Sequence, residues 1–300
     1  MSNVLKELEE IAGLVVRKDE LMSLHTTLAI GGPCEFMLWV STKEMLKNVI
    51  SIANRYRIPF MILGNGSNLL VRDGGIPGFV IRLVGEFNTI DVEGTSIRGG
   101  AGVGLGEIVN CATSKGICGL EFLAGIPGTL GGAIATNAGA KDLWISDRLK
   151  EIKVISDTLD ELVLKPWDLS FSYRSSGILE SWIVTEATIA GNPCTVDAAR
   201  SEVQKYLDMR RRTQPIGEKT AGCIFKNPPG DAAGRLIEKA GFKGMRKGAA
   251  QVSTVHANWI VNTGGATARQ VIDLIDEIRA GVKDLFGIDL ELEIKIVGKE

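Results

Sequence analysis

Two glycine-rich segments are the clearest candidates for a ligand-binding site in this sequence. The longer segment, residues 120–140, contains five glycines, one proline and a single charged residue. Such a composition predicts a backbone that passes close to a partner, not a helix face or an alternating strand. The shorter segment, residues 63–71, lies between two apolar runs that predict strands. The backbone N–H groups of both segments, with the side chains of Ser67, Asn68 and Asn137, can surround a diphosphate without a lysine, which predicts a bound dinucleotide.

Residues 99–107 raise a Rossmann fold as an alternative, because this third glycine-rich run follows a predicted strand and opens a predicted helix at 105–115. No frame within the run gives the sequence G-x-G-x-x-G, and the residues before it lack a clear βαβ unit. Tight turns in a β-rich domain explain several isolated glycines. However, 19 of the 36 glycines fall between residues 64 and 139, which is more than turns alone require. The pattern therefore favours a nucleotide site of another fold.

The composition indicates a globular protein that acts on small molecules. A chain of 300 residues with 45% hydrophobic residues is long enough for two domains with their own cores. The net charge of −2 comes from 34 basic and 36 acidic residues, and no basic block extends beyond residues 210–212. These features argue against a nucleic-acid partner. The arginines at 210–212 end a predicted helix, where they either complement the helix dipole or bind an anion.

The first ten residues are acidic and amphipathic, unlike the basic and then apolar pattern of a signal peptide. No apolar run reaches the roughly 20 residues that a membrane-spanning helix needs. We therefore expect a cytoplasmic protein that has no membrane partner.

The cysteines are odd in number and form no C-x-x-C pair, so the sequence predicts reduced thiols and no zinc site. They are Cys34, Cys111, Cys118, Cys194 and Cys223. With only His25 and His256 as imidazole ligands, no histidine-rich metal centre is expected either.

The hydrophobic pattern predicts a mixed succession of helices and strands around the glycine-rich segments. The predicted helices include 4–20, 195–212 and 266–286, and the predicted strands include a hairpin at 151–156 and 161–164 and a last strand at 290–297. The sequence Gly191-Asn192-Pro193 indicates a domain boundary.

Five motifs, in this order along the chain, resemble those of the UDP-N-acetylenolpyruvoylglucosamine reductase (MurB) family. They are LGNGSN at 63–68, IPGTLGGA at 126–133 with NAG at 137–139, FSYRSS at 171–176, AGCIFKNP at 221–228, and LELE at 290–293 before Gly298. The resemblance extends from about residue 25 to residue 298. A single glycine loop is weak evidence, but five ordered motifs make chance an implausible explanation.

The resemblance implies an α+β fold in which a two-part FAD-binding domain of the vanillyl-alcohol-oxidase (PCMH) type precedes a smaller α+β substrate-binding domain. On this basis we predict an N-terminal helical segment at 1–24, the FAD-binding domain at 25–192 and the substrate-binding domain at 193–300. The implied cofactor is non-covalent FAD, with NADPH as co-substrate. The implied reaction converts UDP-N-acetylglucosamine enolpyruvate to UDP-N-acetylmuramate during peptidoglycan precursor synthesis.

The resemblance also assigns roles to individual residues. Arg174 and Glu293 polarise the substrate carboxylate, and position 223 supplies a proton to the enolate-like species that hydride transfer produces. Most family members have serine where this chain has Cys223. The implied substrate contacts are Tyr173, Lys226 and Asn227. The implied FAD contacts are Gly64, Asn65, Gly66, Ser67, Asn68, Leu69, Ile126, Pro127, Gly128, Thr129, Gly131, Gly132, Asn137 and Gly139.

Each catalytic candidate has a simpler explanation. Arg174 fits a surface arginine after a strand, Glu293 fits a solvent-facing strand residue, and Cys223 fits a small buried residue without a role. Glu293 assists an anion only if it is protonated or strongly hydrogen-bonded. The short stretch between positions 223 and 293 resembles the compact branch of the family, which lacks an extra tyrosine-bearing loop.

Two other functions compete with this hypothesis. One is an oxidase of the same fold that acts on a sugar or a hydroxy acid. Such enzymes often tether the flavin through a histidine, and neither glycine-rich segment contains one. The other is a nucleotide-binding module without catalysis, against which the motifs around Arg174 and Glu293 argue. The sequence does not predict the oligomeric state.

Overall fold

The computed structural model describes residues 2–140 and 142–300, and its mixture of helices and strands confirms the predicted α+β class. In this part of the chain the helices are α1 (Ser2–Glu9), α2 (Lys43–Tyr56), α3 (Leu105–Ser114), α4 (Leu130–Ala135), α5 (Val196–Thr213), α6 (Ala233–Lys239) and α7 (Ala268–Phe286). The strands are β1 (Val15–Leu21), β2 (Pro33–Val40), β3 (Phe60–Ile62), β4 (Leu69–Val71), β5 (Ile76–Leu83), β6 (Ile90–Glu93), β7 (Ser96–Gly100), β8 (Ile117–Cys118), β9 (Gly139–Ala140), β10 (Leu143–Trp144), β11 (Leu149–Ile155), β12 (Glu161–Leu164), β13 (Ile183–Ala190), β14 (Asn192–Pro193), β15 (Thr220–Cys223), β16 (Arg246–Lys247), β17 (Ala250–Val252), β18 (Trp259–Asn262) and β19 (Lys295–Val297).

The chain forms two compact units, and each is assembled from separate segments. The first comprises Met1–Arg17, Met37–Gly64 and Phe79–Met209, and the second comprises Lys18–Phe36, Asn65–Gly78 and Arg210–Glu300. The domain boundaries expected near residues 24 and 192 remain predictions.

The first unit contains a five-stranded antiparallel sheet in the order β12-β11-β13-β7-β6. Its β11–β12 pair confirms the predicted hairpin, with Ile152 opposite Leu164 and Ile155 opposite Glu161. The side chains of β13 are buried at nearly every second position, so one face of this strand contributes to the core. A parallel pair of β3 and β5 lies in the same unit.

The second unit contains an antiparallel sheet in the order β15-β18-β17-β16 and a separate parallel pair of β4 and β19. Helices α6 and α7 share its hydrophobic core, to which Leu28, Ile30 and Leu70 also contribute. Three segments of the chain therefore complete one core.

Helix α7 shows why the local sequence forms this element. The Thr267 side chain accepts a hydrogen bond from Gln270 N at the first turn, and Gly287 ends the helix in the left-handed conformation. The carboxylate of Asp73 accepts further hydrogen bonds from Ala268 N (2.9 Å) and Arg269 N (3.1 Å). Buried residues recur every three or four positions along the helix: Ala268, Val271, Leu274, Ile275, Ile278 and Val282.

Three sequence predictions about secondary structure are wrong. The helix predicted at 4–20 ends at Glu9, because Gly13 takes a left-handed conformation and Val15 starts a strand. Segment 120–140 contains helix α4, which Thr129 caps through its side chain. The last strand is shorter than the predicted 290–297, since residues 290–294 form only an isolated bridge at Leu292.

The prediction that all cysteines are reduced is also wrong, because Cys118 and Cys194 form a disulfide with their Cα atoms 5.8 Å apart. Strands β8 and β14 pair antiparallel, and Cys194 N donates to Gly116 O (2.8 Å), so the backbone brings the two thiols together. Cys34, Cys111 and Cys223 lie outside the disulfide. Burial raises the pKa of the Cys34 thiol to about 11.

None of the helices formed by the described residues has the length and hydrophobicity that crossing a membrane requires. Within the same residues, no group of three or more histidine, cysteine or acidic side chains is arranged to hold a metal ion.

We expect the Cys118–Cys194 disulfide to stabilise the folded protein, because it closes a long loop and so reduces the entropy of the unfolded chain. Cys194→Ser should lower the free energy of unfolding by about 2–4 kcal/mol. Urea unfolding, followed by fluorescence with and without a phosphine reductant, measures this change.

The reductant should destabilise the wild type and the Cys111→Ser control alike, while leaving Cys194→Ser unchanged. Five free thiols in the wild type, counted by alkylation under denaturing conditions without reductant, would contradict the disulfide.

Candidate active site

The longer glycine-rich segment is held in place by close backbone contacts within the first unit. A Cβ atom on Gly131 would lie 2.8 Å from the Cβ of Ala101, and Gly131 N donates to Ala101 O at 2.9 Å. Gly64 also meets this segment, since a Cβ on it would lie 2.6 Å from Thr129 Oγ1. The first unit thus brings Gly64, Thr129 and Gly131 together. Ile126, Pro127 and Gly128 form the irregular segment that leads into Thr129.

Gly132 differs from its neighbour because it is exposed and a Cβ atom would fit there without a clash. The nearest atom to a Cβ built on it is Thr129 Oγ1 at 3.4 Å, an ordinary contact distance. Packing within the first unit therefore leaves room for a side chain at position 132 and none at position 131.

Asn137 connects the longer glycine-rich segment to the turn that contains Arg174. Its Nδ2 donates to Ser172 O (2.9 Å), and its Oδ1 accepts from Ser146 N (3.3 Å). Ser176 Oγ adds a hydrogen bond to Ala135 O (3.1 Å) at the end of α4. Asn137 is buried, and its amide is hydrogen-bonded to the backbone of this turn and of Ser146. The predicted contact between Asn137 and FAD remains a prediction.

Tyr173 and Arg174 lie at the tip of the turn, which Ser172 and Ser175 close by reciprocal backbone hydrogen bonds of 2.9 and 3.1 Å. Arg174 takes a left-handed backbone conformation, with φ of 58°. Its Cζ atom lies 5.5 Å from the ring centroids of Trp144 and of Tyr173, and the two rings pack edge to face. Two aromatic rings therefore orient the half-buried guanidinium.

Trp144 is a site residue that sequence reasoning missed. It pairs with Gly139 across strands β9 and β10, and a Cβ on Gly139 would lie 2.6 Å from Trp144 Cε3. The glycine thus lets the indole lie against the backbone and reach Arg174. The signal available in the sequence was a tryptophan a few residues beyond the NAG motif.

The shorter glycine-rich segment continues into the second unit. In the part of the chain that the structure describes, the backbone N–H groups of residues 65–68 donate no hydrogen bond to a protein atom. Gly66 takes a left-handed conformation against His25 O, and Leu69 begins strand β4. The Asn68 side chain donates to Glu293 O (3.1 Å), while Asn68 O accepts from Lys295 N (3.0 Å).

Cys223 and Glu293 lie on adjoining segments of the second unit. Glu293 N donates to Ile224 O at 2.8 Å, and Phe225 forms an isolated antiparallel β-bridge with Leu292. Gly222, which precedes Cys223, takes a left-handed conformation with a φ of 83° at an irregularity in the pairing of β15 and β18. Both Cys223 and Glu293 are half-buried. The fold of this unit therefore brings these two predicted catalytic residues together and places Asn68 beside them.

The predicted substrate contacts at 226 and 227 also have partners within the second unit. Lys226 Nζ forms an ion pair with Glu291 Oε2 (3.3 Å), and its backbone N donates to Glu291 O (2.8 Å). Asn227 Oδ1 accepts from Ala233 N (3.0 Å) at the start of α6. The Lys226 ammonium and the exposed Asn227 remain candidate contacts for a diphosphate.

Comparisons with known proteins extend over nearly the whole chain. Residues 34–158 match the family model described as "FAD binding domain", and residues 214–297 match "UDP-N-acetylenolpyruvoylglucosamine reductase, C-terminal domain". The FAD-binding match agrees with the predicted fold class.

Relatives and a solved structure agree with these matches. UDP-N-acetylenolpyruvoylglucosamine reductase 2 of Symbiobacterium thermophilum is 43% identical and aligns over 94% of this chain and 92% of its own length. The reductase of Desulforamulus reducens is 42% identical over 98% and 97%, respectively. The crystal structure of the Thermus caldophilus reductase (MurB) superposes with a TM-score of 0.83 at 38% identity, covering 94% of this chain and 98% of that one. The chain belongs to the UDP-N-acetylenolpyruvoylglucosamine reductase (MurB) family.

Proposed function

We propose that this protein reduces the enolpyruvyl ether of UDP-N-acetylglucosamine enolpyruvate to the lactyl ether of UDP-N-acetylmuramate, a step in peptidoglycan precursor synthesis. It is an FAD-dependent enzyme that uses NADPH as electron donor. Family membership along nearly the whole chain supports this function over that of another flavoenzyme of the same fold. Both substrates are small molecules of the cytoplasm, so we place the enzyme there and expect neither a nucleic-acid nor a membrane partner.

The chain has features that fit FAD. Within the second unit, the N–H groups of residues 65–68 suit a diphosphate because no protein atom of the described residues accepts from them. Within the first unit, Gly132 is exposed and leaves room for a ligand to approach the backbone. Bound FAD would supply the hydride chemistry that links oxidation of NADPH to reduction of the enolpyruvyl double bond. The two glycine-rich segments contain no histidine for a covalent tether, so we expect FAD to be held without a bond to the protein.

Arg174 stabilises negative charge on the substrate carboxylate and on the adjacent carbon. The rings of Trp144 and Tyr173 hold its guanidinium, so little of its freedom is lost when the anion forms. Asn137 fixes the backbone of the same turn through Ser172. We infer that Arg174 is preorganised for a carboxylate, while Tyr173 and Lys226 contact the rest of the substrate.

Cys223 donates the proton that completes the reduction, and Glu293 contributes a hydrogen bond beside it. The observation that carries this proposal is the hydrogen bond from Glu293 N to Ile224 O, since it sets Glu293 next to the residue that follows Cys223. A free thiol, with a pKa near ~8.5, is a far stronger acid than an alcohol. Cysteine can therefore replace the serine that most family members have at this position.

A stopped-flow experiment tests the function. The absorbance of the bound flavin should fall when NADPH is added and recover when the enolpyruvyl nucleotide follows. Recovery with oxygen alone at a comparable rate would favour an oxidase instead.

We expect Gly132→Ala to fold normally but bind FAD on the order of tenfold more weakly, because the protein has room for the added methyl group whereas a nearby diphosphate does not. Acid precipitation releases the flavin for measurement of occupancy. Gly106→Ala in α3 is the control, since nothing lies within 4 Å of a Cβ at that position. Equal FAD affinity in the two variants would exclude a close approach of the diphosphate to Gly132.

Arg174→Ala and Glu293→Gln should leave reduction of the flavin by NADPH nearly intact and slow its reoxidation by the substrate. Both groups act on charge that appears only in the second half-reaction, and losing one such contact costs roughly 100–1000-fold. Stopped-flow traces of each half-reaction make this measurement. If both half-reactions slow equally, the residues have a structural role.

Cys223→Ser should stay active, whereas Cys223→Ala should accept electrons from NADPH and fail to protonate the substrate. Iodoacetamide should inactivate the wild type, and bound substrate should protect it. Burial and a pKa of about 11 keep Cys34 unreactive, and the disulfide excludes Cys118 and Cys194, so only Cys111 and Cys223 can react.

The Cys111→Ser variant is the control for this experiment, and it should be inactivated like the wild type. Full activity of Cys223→Ala would remove Cys223 from the mechanism. Resistance of Cys111→Ser would show instead that alkylation of Cys111 causes the inactivation.

A further inference from the structure

Residues 224–226 are bonded along both edges of their backbone. On one edge Ile224 O accepts from Glu293 N, and Lys226 N donates to Glu291 O, both at 2.8 Å. Phe225 points its own N–H and C=O toward the other edge, as alternate residues of an extended chain do. Strand β15 ends at Cys223, so the ladder with β18 does not supply these partners.

One side chain, Asn258, satisfies both groups of Phe225. Asn258 Oδ1 accepts from Phe225 N (2.9 Å), and Asn258 Nδ2 donates to Phe225 O (2.7 Å). Its backbone carbonyl also accepts from Ile224 N at 2.8 Å. A primary amide carries both a donor and an acceptor, so it replaces a strand neighbour for one residue. No other uncharged side chain of this length offers both groups in this arrangement.

Asn258 is itself rigidly placed. It is 2% exposed, and it lies immediately before β18. Its backbone N donates to His256 Nδ1 at 3.2 Å. The imidazole of His256 lies against Gly234 of α6, where a Cβ would be 2.8 Å from Cε1. The amide is therefore fixed by the core of the second unit.

We propose that Asn258 is a positioning residue that fixes the Cys223 thiol relative to Glu293. The inference rests on the proposed catalytic role of Cys223. Asn258 holds one edge of residues 224–225, and the segment 291–293 holds the other. The distance between the thiol and the Glu293 carboxyl depends on both edges being bonded.

The test compares two buried asparagines at opposite ends of β18. Asn258→Asp keeps an oxygen that accepts from Phe225 N. It replaces the donor Nδ2 with a carboxylate oxygen, which repels the carbonyl oxygen of Phe225. Asn262 is 5% exposed, and its side chain donates to Leu28 O (3.0 Å) while accepting from Gly264 N and Ala266 N (both 3.0 Å). Asn262→Asp therefore makes the same chemical change in the same core, away from residues 223–226.

We expect Asn258→Asp to slow flavin reoxidation by the enolpyruvyl nucleotide by on the order of 100-fold, because displacement of a reacting group by about 1 Å has such an effect. Reduction by NADPH should remain close to the wild-type rate. Asn262→Asp should lose comparable thermal stability and keep both half-reactions. Hydrogen exchange of the peptide that contains residues 223–228 gives a reading independent of the flavin, and it should accelerate only in Asn258→Asp.

Asn258→Ser serves as the second variant if the aspartate does not fold. Its shorter hydroxyl leaves at least one group of Phe225 without a partner, so reoxidation should again be slowed selectively. Equal effects of the substitutions at 258 and 262 on reoxidation, or unchanged exchange in residues 223–228, would overturn the inference.

Two reference measurements distinguish a failure of the role of Asn258 from a failure of the catalytic role of Cys223 or of the reductase activity. Wild-type reoxidation rates in Cys223→Ala would overturn both the inference and the role of Cys223, and leave the reductase activity standing. A wild-type flavin that the enolpyruvyl nucleotide does not reoxidise would overturn the proposed function itself.

Discussion

The chemistry of the second unit depends on the hydrogen bonds that join residues 224–226 to residues 291–293. These bonds connect segments far apart in the chain, and they bring a thiol and a carboxyl group onto neighbouring backbone. Asn68 joins the same arrangement through Glu293 O, so part of a glycine-rich segment is fixed by the backbone that carries Glu293. Backbone bonding places these groups more rigidly than contacts between their flexible side chains would, because it fixes where each side chain begins.

In the first unit, buried polar and aromatic side chains position the turn that carries Arg174. The turn at 172–175 has few residues of its own to stabilise it, and it relies on Asn137 and Ser176 for bonds to its neighbours. Trp144 then orients the guanidinium of Arg174. The strained φ of Arg174 persists because the surrounding contacts outweigh its cost of roughly 1–3 kcal/mol. One short stretch, from Thr129 to Trp144, thus supports both the glycine-rich backbone and the arginine.

The sequence predicted features that have local causes. Helix α7 follows from a capped amphipathic pattern, and the glycine-rich segments follow from composition. Features that depend on tertiary pairing could not be predicted from the sequence. The Cys118–Cys194 disulfide arises from the pairing of β8 with β14, which the parity of the cysteine count does not reveal. Trp144 and Asn258 are ordinary residues in the sequence, and they acquire a role only because folding sets them against Arg174 and Phe225.

The parallel pairing of β4 with β19 has a consequence for folding during synthesis on the ribosome. Residues 69–71 are made early, whereas residues 295–297, which complete their pair, follow almost the whole of the remaining chain. At a translation rate of roughly 5–20 residues per second, strand β4 remains without its partner strand for about ten seconds or longer. Throughout that interval the core of the second unit, to which Leu70 contributes, is incomplete. Nascent chains of this protein therefore carry an unpaired strand and an incomplete core until residues 295–297 have been made.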